Sequence, residues 1–349
     1  MKGQIVMELW IALILSVIVG FGVSFGIGFG VVPWLHKLKF GQTILDIGPS
    51  WHKKKQGTPT MGGILFIAGF IASVAVVLIT DKLLGGNILM NNNSRPENMV
   101  YIKIFGGILM AVAFSMIGFI DDYIKVVKKR NLGLTEMQKT VLQILVIGVY
   151  LFTLNLAGVH FTFIPYIGMF ENDIIFWILG FIAIYGTVNA ANFTDGIDGL
   201  CSSVSAVMCI GFAVCGVIMS FSGMTVLCAA LFGSLLGFLM WNWNPSKVIM
   251  GDLGSFFIGG MIVSFAYDLD APWLIVLISV IYVIEFGSDL VQIAYVKTHD
   301  GKRLFKMAPI HHHYEMSGWS EKKICKVFML VTAIGCAAAI ALTWFGRAQ

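Results

Sequence analysis

Charge is what this chain has least of. Asp, Glu, Lys and Arg make up 12% of its 349 residues, against about 25% in an ordinary soluble domain. Hydrophobic residues make up 58% and the mean hydropathy is +0.86. That scarcity excludes a soluble enzyme, and a net charge of +4 leaves no basic face for nucleic acid. Cysteine pairing is lacking too. Cys201, Cys209, Cys215, Cys228, Cys325 and Cys336 lie in or beside apolar runs with no C-x-x-C spacing, which excludes a disulfide framework or a zinc site. They are expected as small core residues. No stretch between apolar runs is long enough for a soluble domain, so residues 1–349 are expected to form a single polytopic membrane domain. The first run, 8–32, exceeds a signal-peptide core and lacks a small-x-small cleavage site, and is expected to be a retained helix.

What is present is a succession of apolar runs of bilayer-spanning length, about 20 residues each. They predict spans near 8–32, 61–80, 101–120, 138–157, 173–190, 200–220, 225–241, 253–268, 272–295 and 325–345. Period-2 alternation is absent, so the backbone must be satisfied within helices. The expected fold is an all-α integral membrane protein of about ten transmembrane helices. Most Lys and Arg fall in loops after odd-numbered spans: Lys37, Lys39, Lys53–Lys55, Lys125, Lys128–Arg130, Lys139, Lys247, and Lys297 through Lys326. The positive-inside rule makes those loops cytoplasmic and both termini extracytoplasmic. The opposite loops, around 85–98, 160–172 and Asp268-Leu-Asp270, read as solvated turns.

Polar chemistry gathers in the basic loops. G-T-P-T-M-G-G, residues 57–63, follows Lys53–Lys55 and precedes a helix; hydroxyls, lysines and free N–H groups there suit a phosphate, though no Walker spacing is present. F-I-D-D-Y-I-K places Asp121, Asp122 and Lys125 at a helix C-terminus, where adjacent acids repel and a divalent cation relieves them. N-A-A-N-F-T-D-G-I-D-G contributes Asn189, Asn192, Asp195 and Asp198, without EF-hand spacing; it suits sugar or base hydroxyls, a second shell around a metal, or a capped turn. W-N-W-N-P-S-K-V-I-M-G-D-L-G-S contributes Asn242 and Asp252, the latter flanked by Gly251 and Gly254, with helix capping as its simpler role.

M-A-P-I-H-H-H-Y-E contains His311, His312 and His313 side by side. Successive side chains diverge on a helix and alternate on a strand, so the three imidazoles cannot share one ion. Inside span 9, Glu285 and Asp289 are four residues apart with Gln292 a turn further, and are expected to face the bundle or a wet crevice. The Asp loops and the triplet fall on one membrane face, which points to a composite metal–phosphate site beside lipid. Magnesium, which prefers carboxylates plus substrate phosphates, is the expected cofactor.

These motifs, in this order along essentially the whole chain, resemble the phospho-N-acetylmuramoyl-pentapeptide transferase family of the polyprenyl-phosphate N-acetylhexosamine-1-phosphate transferase superfamily. The resemblance implies a phospho-sugar transferase of the bacterial plasma membrane with cytoplasmic catalytic loops. It would join UDP-MurNAc-pentapeptide to undecaprenyl phosphate, giving lipid I and UMP, with Mg2+. It implies Asp252 as a Mg2+ ligand with Asp121, Asp122 and His311 close by, and Asp121 as the base toward the lipid phosphate. Lys55, Thr60, Asn192, Asp195, Asp198 and Asn242 would line the nucleoside and diphosphate region with His312 nearby, and Lys125 and Lys139 would face phosphates. His313 is expected to be structural. The chain departs from the family at Ile249, where members often carry a Phe that would stack on uracil. Family members have a broken span 9 beside a polyprenyl groove, and Glu285 to Gln292 is the expected break. The resemblance leaves room for a homodimer. Two rival readings are a GlcNAc-1-phosphate transferase of the same superfamily and a secondary transporter. The latter is disfavoured because transporter sites lie near the midplane between repeated halves.

Overall fold

The computed structural model describes residues 7–38, 57–88, 96–127 and 133–346. Apolar runs become helices because hydrocarbon leaves each backbone amide no partner outside its own segment. In order they are α1 (Leu9–Lys37), α2 (Gly63–Leu83), α3 (Glu97–Val127), α4 (Glu136–Leu156), α5 (Asp173–Thr194), α6 (Leu200–Ile218), α7 (Ser222–Asn242) and α8 (Gly251–Asp268). Then come α9 (Leu274–Ile278), α10 (Val280–Thr298), α11 (Ile310–Glu315) and α12 (Glu321–Gly346). The one sheet among the described residues is a hairpin of β1 (Phe161–Ile164) and β2 (Gly168–Glu171), antiparallel with Phe161 opposite Glu171.

Eight of these helices are long and apolar enough to cross a membrane: α1 to α7 and α12. α8 is the informative exception. Every residue from Leu253 to Asp268 is buried, so its outer face meets protein rather than lipid. Glycine and serine replace the bulky aliphatics a lipid-facing helix needs, and they let backbones close in. A Cβ on Gly260 would stand 2.7 Å from the Ala111 Cα of α3, and one on Gly118 would stand 2.2 Å from the Asp252 carbonyl oxygen.

Span 9 differs from expectation. The chain breaks at Ser279, with φ −98° and ψ 33° between α9 and α10, while Glu285 to Gln292 lies inside continuous helix. The α10 side chains there are bonded to a later segment instead of interrupting their own helix.

The expected solvated turns need correction as well. Asp268 and Asp270 are buried, and the fully buried Lys103 of α3 pairs with Asp270. The Lys103 ammonium also donates to the carbonyls of Tyr267 (3.2 Å) and Asp268 (3.1 Å). The hairpin docks on this turn: Phe163 N–H donates to the Asp270 carbonyl (2.6 Å) and Trp273 Nε1 to the Phe163 carbonyl (2.8 Å). A buried lysine needs such partners because an unpaired charge there is strongly destabilising. The six cysteines are all free and buried.

Candidate active site

Helix ends from distant parts of the chain meet at the pole of the bundle opposite Lys103. α3 brings Asp121, Asp122 and Lys125 in its last turns, and α8 brings Asp252 in its first turn, where a carboxylate also suits the helix dipole. Each of the three carboxylates offers an oxygen within 4.8 Å of the others.

Two lysines bridge them. Lys125 Nζ lies 2.6 Å from Asp121 Oδ2, 3.7 Å from Asp122 Oδ1 and 3.3 Å from Asp252 Oδ2. Lys139 Nζ, near the start of α4, lies 2.9 Å from both Asp121 Oδ2 and Asp252 Oδ2. With all three carboxylates ionised, two ammonium groups leave one negative charge uncompensated, which favours a cation.

Backbone contacts fix the acids. Asp121 Oδ1 accepts the Leu134 N–H (2.7 Å), and Asp122 Oδ2 accepts the Leu253 N–H (3.3 Å) at the start of α8. Asn192 donates from Nδ2 to Asp252 Oδ1 (2.9 Å) and to Ser255 Oγ (3.0 Å). Gly251 makes the junction feasible. Its φ is +77°, and a Cβ there would lie 2.5 Å from Asp122 Oδ2 and 2.7 Å from Thr60 Oγ1. Thr60 therefore sits at the edge of the cluster.

The segment carrying Thr60 is stitched in place. Ile249 N–H donates to the Pro59 carbonyl (2.8 Å), while Gly62 and Gly63 N–H donate to the carbonyls of Ile249 and Met250 (both 2.9 Å). This corrects the expectation of free helix-terminal N–H groups. Those of Gly62 and Gly63 hold the strand-like stretch before α8, so a phosphate here must use hydroxyl and ammonium donors. Lys55 lies outside the described residues.

The remaining expected residues divide. Asp195 caps α5; desolvation, then the Asp252 and Asp122 carboxylates, raise its carboxyl well above the usual range, while a hydrogen bond from Gly251 N–H lowers it. Asp198 accepts from Asn244 Nδ2 (3.2 Å), Ser246 N–H (3.0 Å) and Ser246 Oγ (2.9 Å). Asn242 accepts from Ser202 Oγ (2.8 Å) and donates to the Val248 carbonyl (3.0 Å). Asp198 and Asn242 thus brace the loop that delivers Asp252.

His311 is not among the three clustered acids. It is fully buried on α11, its Nδ1 2.9 Å from Glu285 Oε2. His312 Nδ1 lies 3.0 Å from Glu315 Oε2, and His313 Nδ1 accepts the Lys306 N–H at 3.1 Å. Glu285 is the residue sequence reasoning left without a role, since its partner lies 26 positions away. Its one signal was an acid inside an apolar run.

The donor set fits a hard divalent cation: three carboxylates within chelating reach, with room for phosphate oxygens in the remaining positions. An apolar cavity of roughly 700 Å3, within the size of ordinary ligand pockets, runs along α5 from the hairpin and Trp273 toward the polar pole. Thr187 and Ala190 of α5, Ile275 and Val276 of α9, and Phe286 and Gly287 of α10 line it. Along α5 it ends within one helical turn of Asn192.

Residues 104–270 match the model of glycosyl transferase family 4, and residues 55–67 match phospho-N-acetylmuramoyl-pentapeptide-transferase signature 1. A Listeria monocytogenes serotype 4b protein named phospho-N-acetylmuramoyl-pentapeptide-transferase is 38% identical over 322 residues, covering 90% of this chain and 93% of the relative. Proteins of the same name from Bacillus thuringiensis and Bacillus cereus are 41% identical over 303 residues, covering 86% of this chain and 88% of each relative.

Proposed function

The chain belongs to the phospho-N-acetylmuramoyl-pentapeptide transferase family, and from that premise we infer how its residues divide the work. The reaction transfers phospho-MurNAc-pentapeptide from UDP-MurNAc-pentapeptide to undecaprenyl phosphate, forming lipid I and releasing UMP in peptidoglycan synthesis. The protein is a multi-pass membrane enzyme, embedded by its apolar helices. We place the carboxylate pole at the cytoplasmic face of a bacterial plasma membrane, because Lys125 and Lys139 lie at that pole and the sequence puts most Lys and Arg in loops on the same side.

The observation that carries the residue assignment is the Asp121–Asp122–Asp252 cluster, bridged by Lys125 and Lys139. The cavity takes part of the polyprenyl chain and so delivers its phosphate to the bundle's polar end. An oxygen of that phosphate attacks the β-phosphorus of the nucleotide-sugar. The new phosphoanhydride forms as the bond from that phosphorus to the UMP oxygen breaks.

One phosphoanhydride replaces another, so alignment and charge stabilisation are the main requirements. Asp121, Asp122 and Asp252 would hold Mg2+, which supplies charge stabilisation to the diphosphate. Lys125 and Lys139 turn from the carboxylates to the phosphate oxygens and offset the repulsion between two anionic substrates. Asp121 is freed as they turn and takes any proton the acceptor still carries. That demand is small, since a phosphate monoester loses its second proton near pH 6, about as for a phosphorylated side chain. Thr60, Asn192 and Asp195 flank the nucleotide side, with His312 completing it. Asp198 and Asn242 act through the loop they brace.

The deciding experiment measures UMP release by the purified protein with undecaprenyl phosphate and Mg2+, comparing UDP-MurNAc-pentapeptide with UDP-GlcNAc. Release is expected with the former only. Release with UDP-GlcNAc alone would move the chain to the GlcNAc-1-phosphate branch.

A further inference from the structure

α10 has a buried polar face that this reaction scheme leaves unused. Glu285, Ser288 and Gln292 are three and four residues apart, hence on one side of the helix, and each is bonded to the segment carrying the histidine triplet. Gln292 accepts the N–H groups of Leu304 (3.1 Å) and Phe305 (2.9 Å) and donates to the Phe305 carbonyl (3.1 Å). Ser288 Oγ accepts the Ile310 N–H at 3.0 Å. Glu285 Oε2 meets His311 Nδ1 at 2.9 Å, with both side chains 0% exposed.

With Nδ1 committed to Glu285, Nε2 is the nitrogen left to act. That Nε2 is buried and has no hydrogen-bond partner in the protein. It stands against Gly196, where a Cβ would lie 2.2 Å from it. Gly196 follows Asp195 in D-G-I-D-G. The ring is thus held by one nitrogen, while the other is aimed at the loop beside the carboxylate cluster.

We propose that Glu285 is a positioning residue for the transfer: it fixes the orientation and tautomer of His311 so that Nε2 is presented to the metal–diphosphate group, with Gly196 as the notch that admits it. The proposal rests on the transferase reading above. A carboxylate behind a histidine acts in this way at many ligand sites, and its loss costs about 10–100-fold in affinity or activity.

The test combines ring spectroscopy with a double-mutant cycle. In histidine-15N-labelled protein without metal or substrate, one ring signal absent from His311→Gln should show protonation at Nδ1. Glu285→Gln, which keeps the volume, should shift that ring away from the Nδ1-protonated form. It should also lower kcat about 10–100-fold with little change in KM for the nucleotide-sugar. In a His311→Gln background, Glu285→Gln should cost nothing further, because residues acting as a unit are not additive. Gly196→Ala should be damaging in the wild type and harmless beside His311→Ala, which vacates the notch. Multiplicative losses in the cycle, or an unchanged tautomer in Glu285→Gln, would overturn the proposal. So would an activity loss matched by an equal loss of folded protein. The spectroscopic arm needs no turnover, so it still judges Glu285 if the wild type fails to release UMP and the transferase reading falls.

Discussion

Lys139→Met separates metal holding from phosphate holding. Lys139 Nζ is 2.9 Å from oxygens of both Asp121 and Asp252. A Mg2+ about 2.1 Å from the same oxygen would lie within about 5 Å of that ammonium. A unit charge and a divalent cation about 5 Å apart, at an effective dielectric constant of about 20, repel by roughly 6.6 kcal/mol. The lysine side chain is 24% exposed, so solvent screens much of this. If three quarters is lost to screening, about 1.6 kcal/mol remains, somewhat more than tenfold in affinity. The substitution therefore tightens divalent-ion binding in the absence of nucleotide by about tenfold or more, even as it slows turnover by removing a phosphate partner. Mn2+ binding followed by paramagnetic resonance on the detergent-solubilised protein measures the first effect, and UMP release the second. Unchanged or weaker Mn2+ binding by a variant with a native melting temperature would refute the shared-carboxylate arrangement.

Three further outcomes follow from the geometry. Asp252→Asn takes one carboxylate from the cluster and breaks its contacts with Lys125 and Lys139; it should abolish Mg2+-dependent UMP release while the melting transition stays cooperative, and near-normal turnover would sink the metal assignment. Gly287→Leu adds a side chain where a Cβ meets nothing within 4 Å, on the wall of the apolar cavity. It should raise KM for undecaprenyl phosphate and leave KM for the nucleotide-sugar unchanged, as two-substrate kinetics would show. Ile249→Phe restores an aromatic beside the nucleotide region; base stacking of about 1–3 kcal/mol predicts at least fivefold tighter competitive inhibition by UDP, and no change would place the uracil elsewhere.

How much of this was legible in the sequence depends on the range of each interaction. The Asp121–Lys125 pair is four residues apart on one helix and could be read directly. Asp252 could be assigned to the same pole only through topology, because Leu253 and Asp122 are 131 positions apart. The composition of α8 was informative in a less obvious way. Its glycines look like weak points in an apolar run, yet they are what lets it pack against α3. The break at Ser279 had no local signal, since V-L-I-S-V-I-Y-V contains neither glycine nor proline. Glu285 and Gln292 looked like a kink because polar groups in an apolar run need partners. Those partners lie in a loop whose path no periodicity reveals. Lys103 was missed for a similar reason: it reads as a lysine near a span's start, where an ammonium would ordinarily reach water.

The break at Ser279 acquires a purpose when the two faces of the following helix are compared. Phe286 and Gly287 of α10 line the apolar cavity, while Glu285, Ser288 and Gln292 hold the segment bearing His311. α5 is divided in the same way, with Thr187 and Ala190 on the cavity and Asn192 on Asp252. The non-helical Ser279 uncouples the direction of α10 from that of α9. A lipid whose apolar chain and phosphate need opposite solvents has to be met by elements that are apolar on one side and polar on the other. α5 and α10 meet that requirement, and on this reading the acceptor's phosphate arrives where the acids and the lysines converge.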